Sequence, residues 1–228
     1  MERGYWLAKQ FFNKEEICSI RFKMEKIFKN YIGSSTDESI IKLFKEDFQG
    51  FIGCANQCQK LLSVYNLAGS LEDVLKIKCD IKLPTMNTKP LVSFSSKHTS
   101  KSEVYWKIPA HQDSPSNLGS KNGVTCWIPL QDTNEDLGPL EVSPNSHLLG
   151  ELPHKNLNGV PVLLKNNFKF DPMPMDVGDA LFFNTMLVHK SGLNKTENSI
   201  RWSMHFRYND AMEQSFVDRK YTLNRTGD

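Results

Sequence analysis

At 228 residues, with 39% hydrophobic and 24% charged side chains, the chain has the size and make-up of one globular domain spanning 1–228. Its 28 basic and 26 acidic residues leave a net charge of +2, which argues against a broad nucleic-acid surface, and no apolar run approaches the ~20 residues of a membrane span. The five cysteines (Cys18, Cys54, Cys58, Cys79 and Cys126) are an odd number without a CxxC, and the opening "MERGYWLAKQFFNKEE" lacks the features of a signal peptide. Free thiols in a reducing cytoplasm are therefore expected.

The first third predicts helices. Asn13 can cap a segment in which Ile17, Ile20, Met24, Ile27, Phe28 and Tyr31 recur at helical spacing, with Glu15 and Glu16 in its first turn. "GSS" at 33–35 interrupts it, "DESIIKLFKEDF" predicts a second helix and "CANQCQKLLSVYNL" a third. Ser70 with Asp73 forms a capping-box pattern for a short helix at 71–77. From about residue 81 to 210 the texture turns to β. "PLVSFSS", "EVYWKI", "GVTCWIPL", "GPLEVS", "VPVLL", "DALFFN", "LVHKSG" and "SIRWSMHFRY" are separated by turn chemistry such as "SNLGSKNG" and "SPNS". The expectation is an α+β protein dominated by a β sandwich or small barrel. Helices from a lobe at about 1–80 pack outside the core, and a tail follows it.

In "SIRWSMHFRY", Trp202, Met204, Phe206 and Tyr208 alternate with Arg201, Ser203, His205 and Arg207, so one face is apolar and the other cationic or able to become so. The polar face suits either solvent or a cavity built for anions. In "IPAHQD", read as a strand, His111 and Asp113 share a face and Gln112 turns away. Taken alone, that pair also fits a surface turn. His189 stands near the end of a further β-like run, and two imidazoles with one carboxylate facing a common point form the facial triad of non-heme Fe(II) oxygenases. The triad leaves positions for a bidentate keto acid and dioxygen. Arg201 follows His189 by twelve residues, across the turn "KSGLNKTENS", where its guanidinium can grip a distal carboxylate in a way a lysine cannot. Tyr105 and Lys107 share the parity of His111 on "EVYWKIPAH", and Arg207 shares that of Arg201. All three are candidates to line a substrate site, and the two cations suit an anionic small molecule.

The stretches "AHQD", "WIPLQDTNEDLGPLEVSPNSH" and "MDVGDALFFNTMLVHKSGLNKTENSIRWSMHFRY", with the opening "GYWLAKQFFNKEEI" more loosely, resemble the phytanoyl-CoA dioxygenase family of Fe(II)/2-oxoglutarate-dependent oxygenases. The resemblance implies a double-stranded β-helix (a jelly roll, cupin-like). It implies Fe(II) held by His111, Asp113 and His189, with 2-oxoglutarate as co-substrate gripped by Arg201. It further implies that Ser191 touches 2-oxoglutarate and that Trp127 packs beside it, although a strand tryptophan also suits a core and Ser-Gly a turn. The activity implied is hydroxylation of a small-molecule metabolite using dioxygen. Desaturation or epimerisation on the same scaffold, or a non-catalytic ligand-binding jelly roll, are the alternatives. The presence of Asp113 argues against halogenation, which needs that ligand position free for a halide.

Overall fold

A computed structural model describes residues 1–99, 108–157, 160–165 and 167–222. Tyr105, Lys107 and most of "EVYWKI" lie outside them. The chain opens with strand β1 (Tyr5–Ala8), followed by helices α1 (Lys14–Ile32), α2 (Asp37–Glu46), α3 (Phe48–Gln59), α4 (Leu62–Gly69) and α5 (Glu72–Cys79). Strands β2 (Pro84–Met86) and β3 (Leu91–Ser95), a short turn of helix α6 (Ser114–Asn117), β4 (Val124–Pro129) and β5 (Leu140–Val142) come next. Then follow β6 (His154–Leu157), β7 (Val160–Leu163), β8 (Asp171–Met173), β9 (Ala180–Asn184), β10 (His189–Ser191), β11 (Arg201–Asp210) and α7 (Gln214–Asp218).

The helical ends follow side-chain chemistry. Asn13 Oδ1 accepts the Glu15 N–H at 2.7 Å, and Gly33 closes α1 in the left-handed conformation (φ 76°). Ile17, Ile20, Met24 and Phe28 are buried as expected. Tyr31 instead lies exposed and donates its hydroxyl to Asp47 at 2.8 Å. The predicted second and third helices are divided differently. Asp47 leaves helical geometry (φ −140°, ψ 77°) and accepts the Gly50 N–H at 2.9 Å, which ends α2 and starts α3. Leu61 is extended (φ −56°, ψ 129°), so "CANQCQKLLSVYNL" is shared between α3 and α4. Ser70 bonds back to the Leu67 carbonyl at 2.9 Å and so closes α4, while α5 starts without a side-chain cap.

The large sheet is antiparallel in the order β1-β9-β4-β11-β2, with β3 pairing the first half of β11. A second sheet runs β10-β5-β8, and the β6–β7 hairpin reaches it through His111, which bridges Val162 on one side and His189 on the other. This is the jelly roll expected from the sequence. The segment before residue 80 is not purely helical, because β1 adds to the sheet through Tyr5 opposite Phe183 and Ala8 opposite Ala180. Its four residues, like the short β2, β6 and β8, are too few to display an alternation.

Two apolar layers result. Outside the large sheet, Phe28 of the helices meets Phe94 and Trp202, and Phe51 meets Phe94, at ring separations of 5.5–5.7 Å, and Met204 and Phe206 extend that layer. Inside, between the sheets, Trp127, Leu140, Val142, Leu181, Phe183 and Leu187 pack together. Strand β11 is the divider. Its even residues from Trp202 to Tyr208 enter the outer core, and its odd residues from Arg201 to Arg207 face the interior opposite Ser93 and Ser95 of β3 and Thr125 and Trp127 of β4.

Candidate metal and co-substrate site

His111, Asp113 and His189 each offer a donor atom, and these atoms lie within 4.8 Å of one another. All three residues are buried. His111 and His189 are brought together by reciprocal backbone bonds, each N–H donating to the other's carbonyl at 3.0 Å, and their rings lie 4.1 Å apart. In both histidines Nδ1 lies 2.9 Å from the carbonyl two residues earlier, Pro109 for one and Leu187 for the other. A carbonyl can only accept, so each Nδ1 carries the proton and each Nε2 keeps a lone pair. Burial lowers both imidazole pKa values, that of His111 to about 3, so both rings are neutral at physiological pH.

Asp113 meets the histidines by a different local structure from the one the sequence predicts. Its backbone is helical (φ −72°, ψ −31°) and begins α6, whereas His111 makes isolated bridges. Gln112 does turn the other way. It is fully buried, its amide donates to the Gly150 and Met186 carbonyls at 2.8 and 2.6 Å, and its oxygen accepts the Leu152 N–H at 2.8 Å. The Asp113 carboxylate receives Arg207 Nη2 at 3.0 Å and Thr125 Oγ1 at 2.7 Å, and lies 3.9 Å from His111 Nε2. Burial raises its pKa, but Arg207 and the two histidines outweigh that, and the carboxyl is held well below its ordinary value. Arg207, expected as a free cation on the substrate wall, therefore has its partner in Asp113, 94 residues away in sequence.

Arg201 occupies the closed end of the same β11 face. It is 2% exposed, its Nη1 donates to the Gly138 carbonyl, and its Nε has no hydrogen-bond partner among the described residues. Burial pushes the guanidinium pKa down to about 10, so it stays charged. Among the described residues no carboxylate pairs with it. The Trp127 ring lies 5.8 Å from its Cζ, and the Trp127 indole N–H is also buried without a partner. A buried cation and an unmet donor are costly unless something accepts from them. A dicarboxylate fits that end, just as a divalent metal fits two neutral imidazoles and a carboxylate. Ser191 lies on β10 opposite Leu140, and its Oγ accepts the Ile108 N–H at 3.3 Å, which ties down the approach to His111. Further along β11, His205 is half-buried and neutral, with Nε2 3.2 Å from Ser203 Oγ.

Gly138 holds Arg201 through its main-chain carbonyl. Gly138 has φ +75°, and a Cβ there would lie 2.6 Å from the Asn194 nitrogen. Gly138→Ala is therefore expected to cost roughly 1–3 kcal/mol and to weaken 2-oxoglutarate binding. A lowered melting temperature with unchanged 2-oxoglutarate affinity would separate that carbonyl from the Arg201 site.

The family model described as phytanoyl-CoA dioxygenase (PhyH) matches residues 1–202. A methylphosphonate hydroxylase from Gimesia maris is 31% identical over 132 residues, covering 53% of this chain and 50% of that protein. A 1-deoxypentalenic acid 11-beta-hydroxylase from Streptomyces exfoliatus is 31% identical over 125 residues, covering 48% and 43%. The peroxisomal phytanoyl-CoA dioxygenase of Mus musculus is 32% identical over 119 residues, covering 45% and 34%. The matched stretches thus span half or less of the length of these curated relatives. Among solved structures, the epimerase SnoN with Fe3+, alpha ketoglutarate and nogalamycin RO superposes with a TM-score of 0.57 at 17% identity, covering 100% of this chain and 88% of that one. EvdO2 from Micromonospora carbonacea var. aurantiaca, complexed with 2-oxoglutarate, gives 0.57 at 13% identity, covering 91% and 87%. These likenesses establish the jelly-roll fold.

Proposed function

The chain belongs to the phytanoyl-CoA dioxygenase (PhyH) family, and from that premise we propose that it is an Fe(II)- and 2-oxoglutarate-dependent dioxygenase that hydroxylates a small molecule. The observation that carries this is one wall with two ends. A buried guanidinium that no carboxylate among the described residues pairs closes one end, and three buried metal donors converge beside the other.

In this reading the Nε2 atoms of His111 and His189 and the carboxylate of Asp113 hold Fe(II), and Arg201 binds the distal carboxylate of 2-oxoglutarate. Trp127 packs beside that co-substrate, and Ser191 borders it. When bound, the metal with 2-oxoglutarate and dioxygen supplies the oxidising power to break a substrate C–H bond. The chain's own contribution is orientation and exclusion. The two carbonyls at Nδ1 fix both imidazole planes, Arg201 sets the direction of the co-substrate, and the Trp127, Leu181 and Phe183 layer keeps water from the closed end.

An anionic substrate is supported by two relatives whose names are those of acids, methylphosphonate and 1-deoxypentalenic acid. With Arg207 committed to Asp113, Lys107 is the remaining candidate cation, with Tyr105 two residues before it in sequence. A cytoplasmic setting is supported by five free cysteines, and among the described residues no helix is long and apolar enough to cross a membrane. The deciding experiment is 2-oxoglutarate turnover with Fe(II), followed as succinate, across paired anionic and neutral metabolites. Turnover stimulated by anions, and reduced in Lys107→Ala, is the expected result. Binding of 2-oxoglutarate without any succinate would favour the non-catalytic ligand-binding reading instead.

A further inference from the structure

Asp113 is gripped on both of its oxygens by two residues that face each other across the β4–β11 ladder. Thr125 and Arg207 are direct register partners. Thr125 Oγ1 takes Oδ2 at 2.7 Å and Arg207 Nη2 takes Oδ1 at 3.0 Å, the oxygen that also faces His111 Nε2. An aspartate opening a helical turn ordinarily folds its carboxylate back onto the first free N–H groups. Here it caps nothing, and the Ser116 and Asn117 N–H groups go to the Asp113 main-chain carbonyl at 3.2 and 3.1 Å. Two donors on two oxygens fix the plane of the carboxylate, whereas one would leave it free to rotate.

Resting on the metal-site reading above, we infer that the cross-strand pair Thr125–Arg207 is the positioning element of the metal-binding carboxylate. It fixes the plane of the Asp113 carboxylate and presents Oδ1 toward His111. Neither residue touches the reacting atoms; both act through Asp113. The same pairing assigns Arg207 to the metal centre rather than to the substrate. Two effects oppose each other at Arg207, because its charge orients the carboxylate but also repels a dication. Orientation wins in this geometry, since the two donors hold both carboxylate oxygens at once and keep Oδ1 turned toward His111.

The test is anaerobic titration of the full chain with Co(II), read from the visible absorption of the bound ion, together with metal-free thermal melts. Thr125→Val and Arg207→Gln are expected to weaken Co(II) binding by about 10- to 100-fold, as loss of outer partners of metal ligands commonly does. Thr125→Ser keeps the hydroxyl and retains near-native affinity. Arg207→Lys recovers only part of it, because an ammonium supplies the charge but ends one bond short of the position of Nη2. Native-like melts with a Co(II) affinity change below about three-fold would overturn the inference, and so would tighter binding in Arg207→Gln, which would mean that repulsion dominates. Should Arg207→Gln fail to fold, the Thr125→Val and Thr125→Ser pair decides alone. His111→Ala serves as the control on the parent reading: if it binds Co(II) as tightly as the wild type, the metal site itself is misassigned.

Discussion

Alanine at His111 or His189 is expected to abolish both metal binding and 2-oxoglutarate-dependent succinate formation while the fold survives. The side chains are the donors, but the structural joint at these positions is made by the backbone. The reciprocal 3.0 Å bonds between the two residues and the bridge from His111 to Val162 need no imidazole. Each substitution removes a buried neutral ring, at a cost of about 1–2 kcal/mol. Asp113→Ala differs in stability though not in activity. It leaves the Arg207 guanidinium, whose side chain is only 15% exposed, without its carboxylate. Stranding one partner of a buried pair is expected to cost roughly 2–4 kcal/mol, and the melting temperature should fall accordingly. Succinate formation at wild-type rate in any of the three variants would remove that residue from the metal site. Equal melting temperatures across all three would show that the Arg207 pairing contributes little to stability.

Arg201 is expected to separate co-substrate from metal. Its charge-assisted bonds to a carboxylate supply affinity that Arg201→Met cannot, a loss of roughly 30- to 150-fold in 2-oxoglutarate binding, or about 2–3 kcal/mol. Fe(II) loading should be unchanged, because no metal donor contacts this residue. Stability gives a second signature with the opposite sign. Burial is the cause that lowers the Arg201 pKa to about 10, so the ligand-free protein carries a desolvated cation that methionine removes. The melting temperature of ligand-free Arg201→Met should therefore not fall, although function is lost, a trade common at binding sites. Arg201→Lys should recover only part of the affinity. Unchanged 2-oxoglutarate affinity in Arg201→Met would place the co-substrate carboxylate elsewhere.

Much of this was legible in the sequence where a local rule governed. The alternation of β11, the Asn13 cap and the stripe Ile17–Ile20–Met24–Phe28 each follow from a repeat or a cap within a few residues, and each stands in the structure. His111 and Asp113 do face one point, yet not as alternate residues of a strand. A bridge, a buried Gln112 anchored to two distant carbonyls and a helical turn produce the same convergence. What stayed out of reach were pairings decided by register between distant segments. Nothing near Arg207 announces Asp113, and Gly138 reads as a turn until β5 and the loop after β10 place its carbonyl against Arg201. The break at Lys60–Leu61 is hidden for another reason, since Leu61 suits a helix and only its extended backbone divides α3 from α4.

Strand β11 carries two roles on two faces, with Arg201, Ser203, His205 and Arg207 toward the site and Trp202, Met204, Phe206 and Tyr208 toward the helices. Because side chains alternate with a period of two, inserting or deleting one residue within it would turn every group on one side of the change to the wrong face. Along that part of the strand the cations would enter the outer core and the rings would fill the cavity. Point substitutions can drift along this strand one face at a time, but its length is closed to change. Insertions and deletions arising between His189 and Arg201 are therefore confined to the turn at 192–200, outside both β10 and β11.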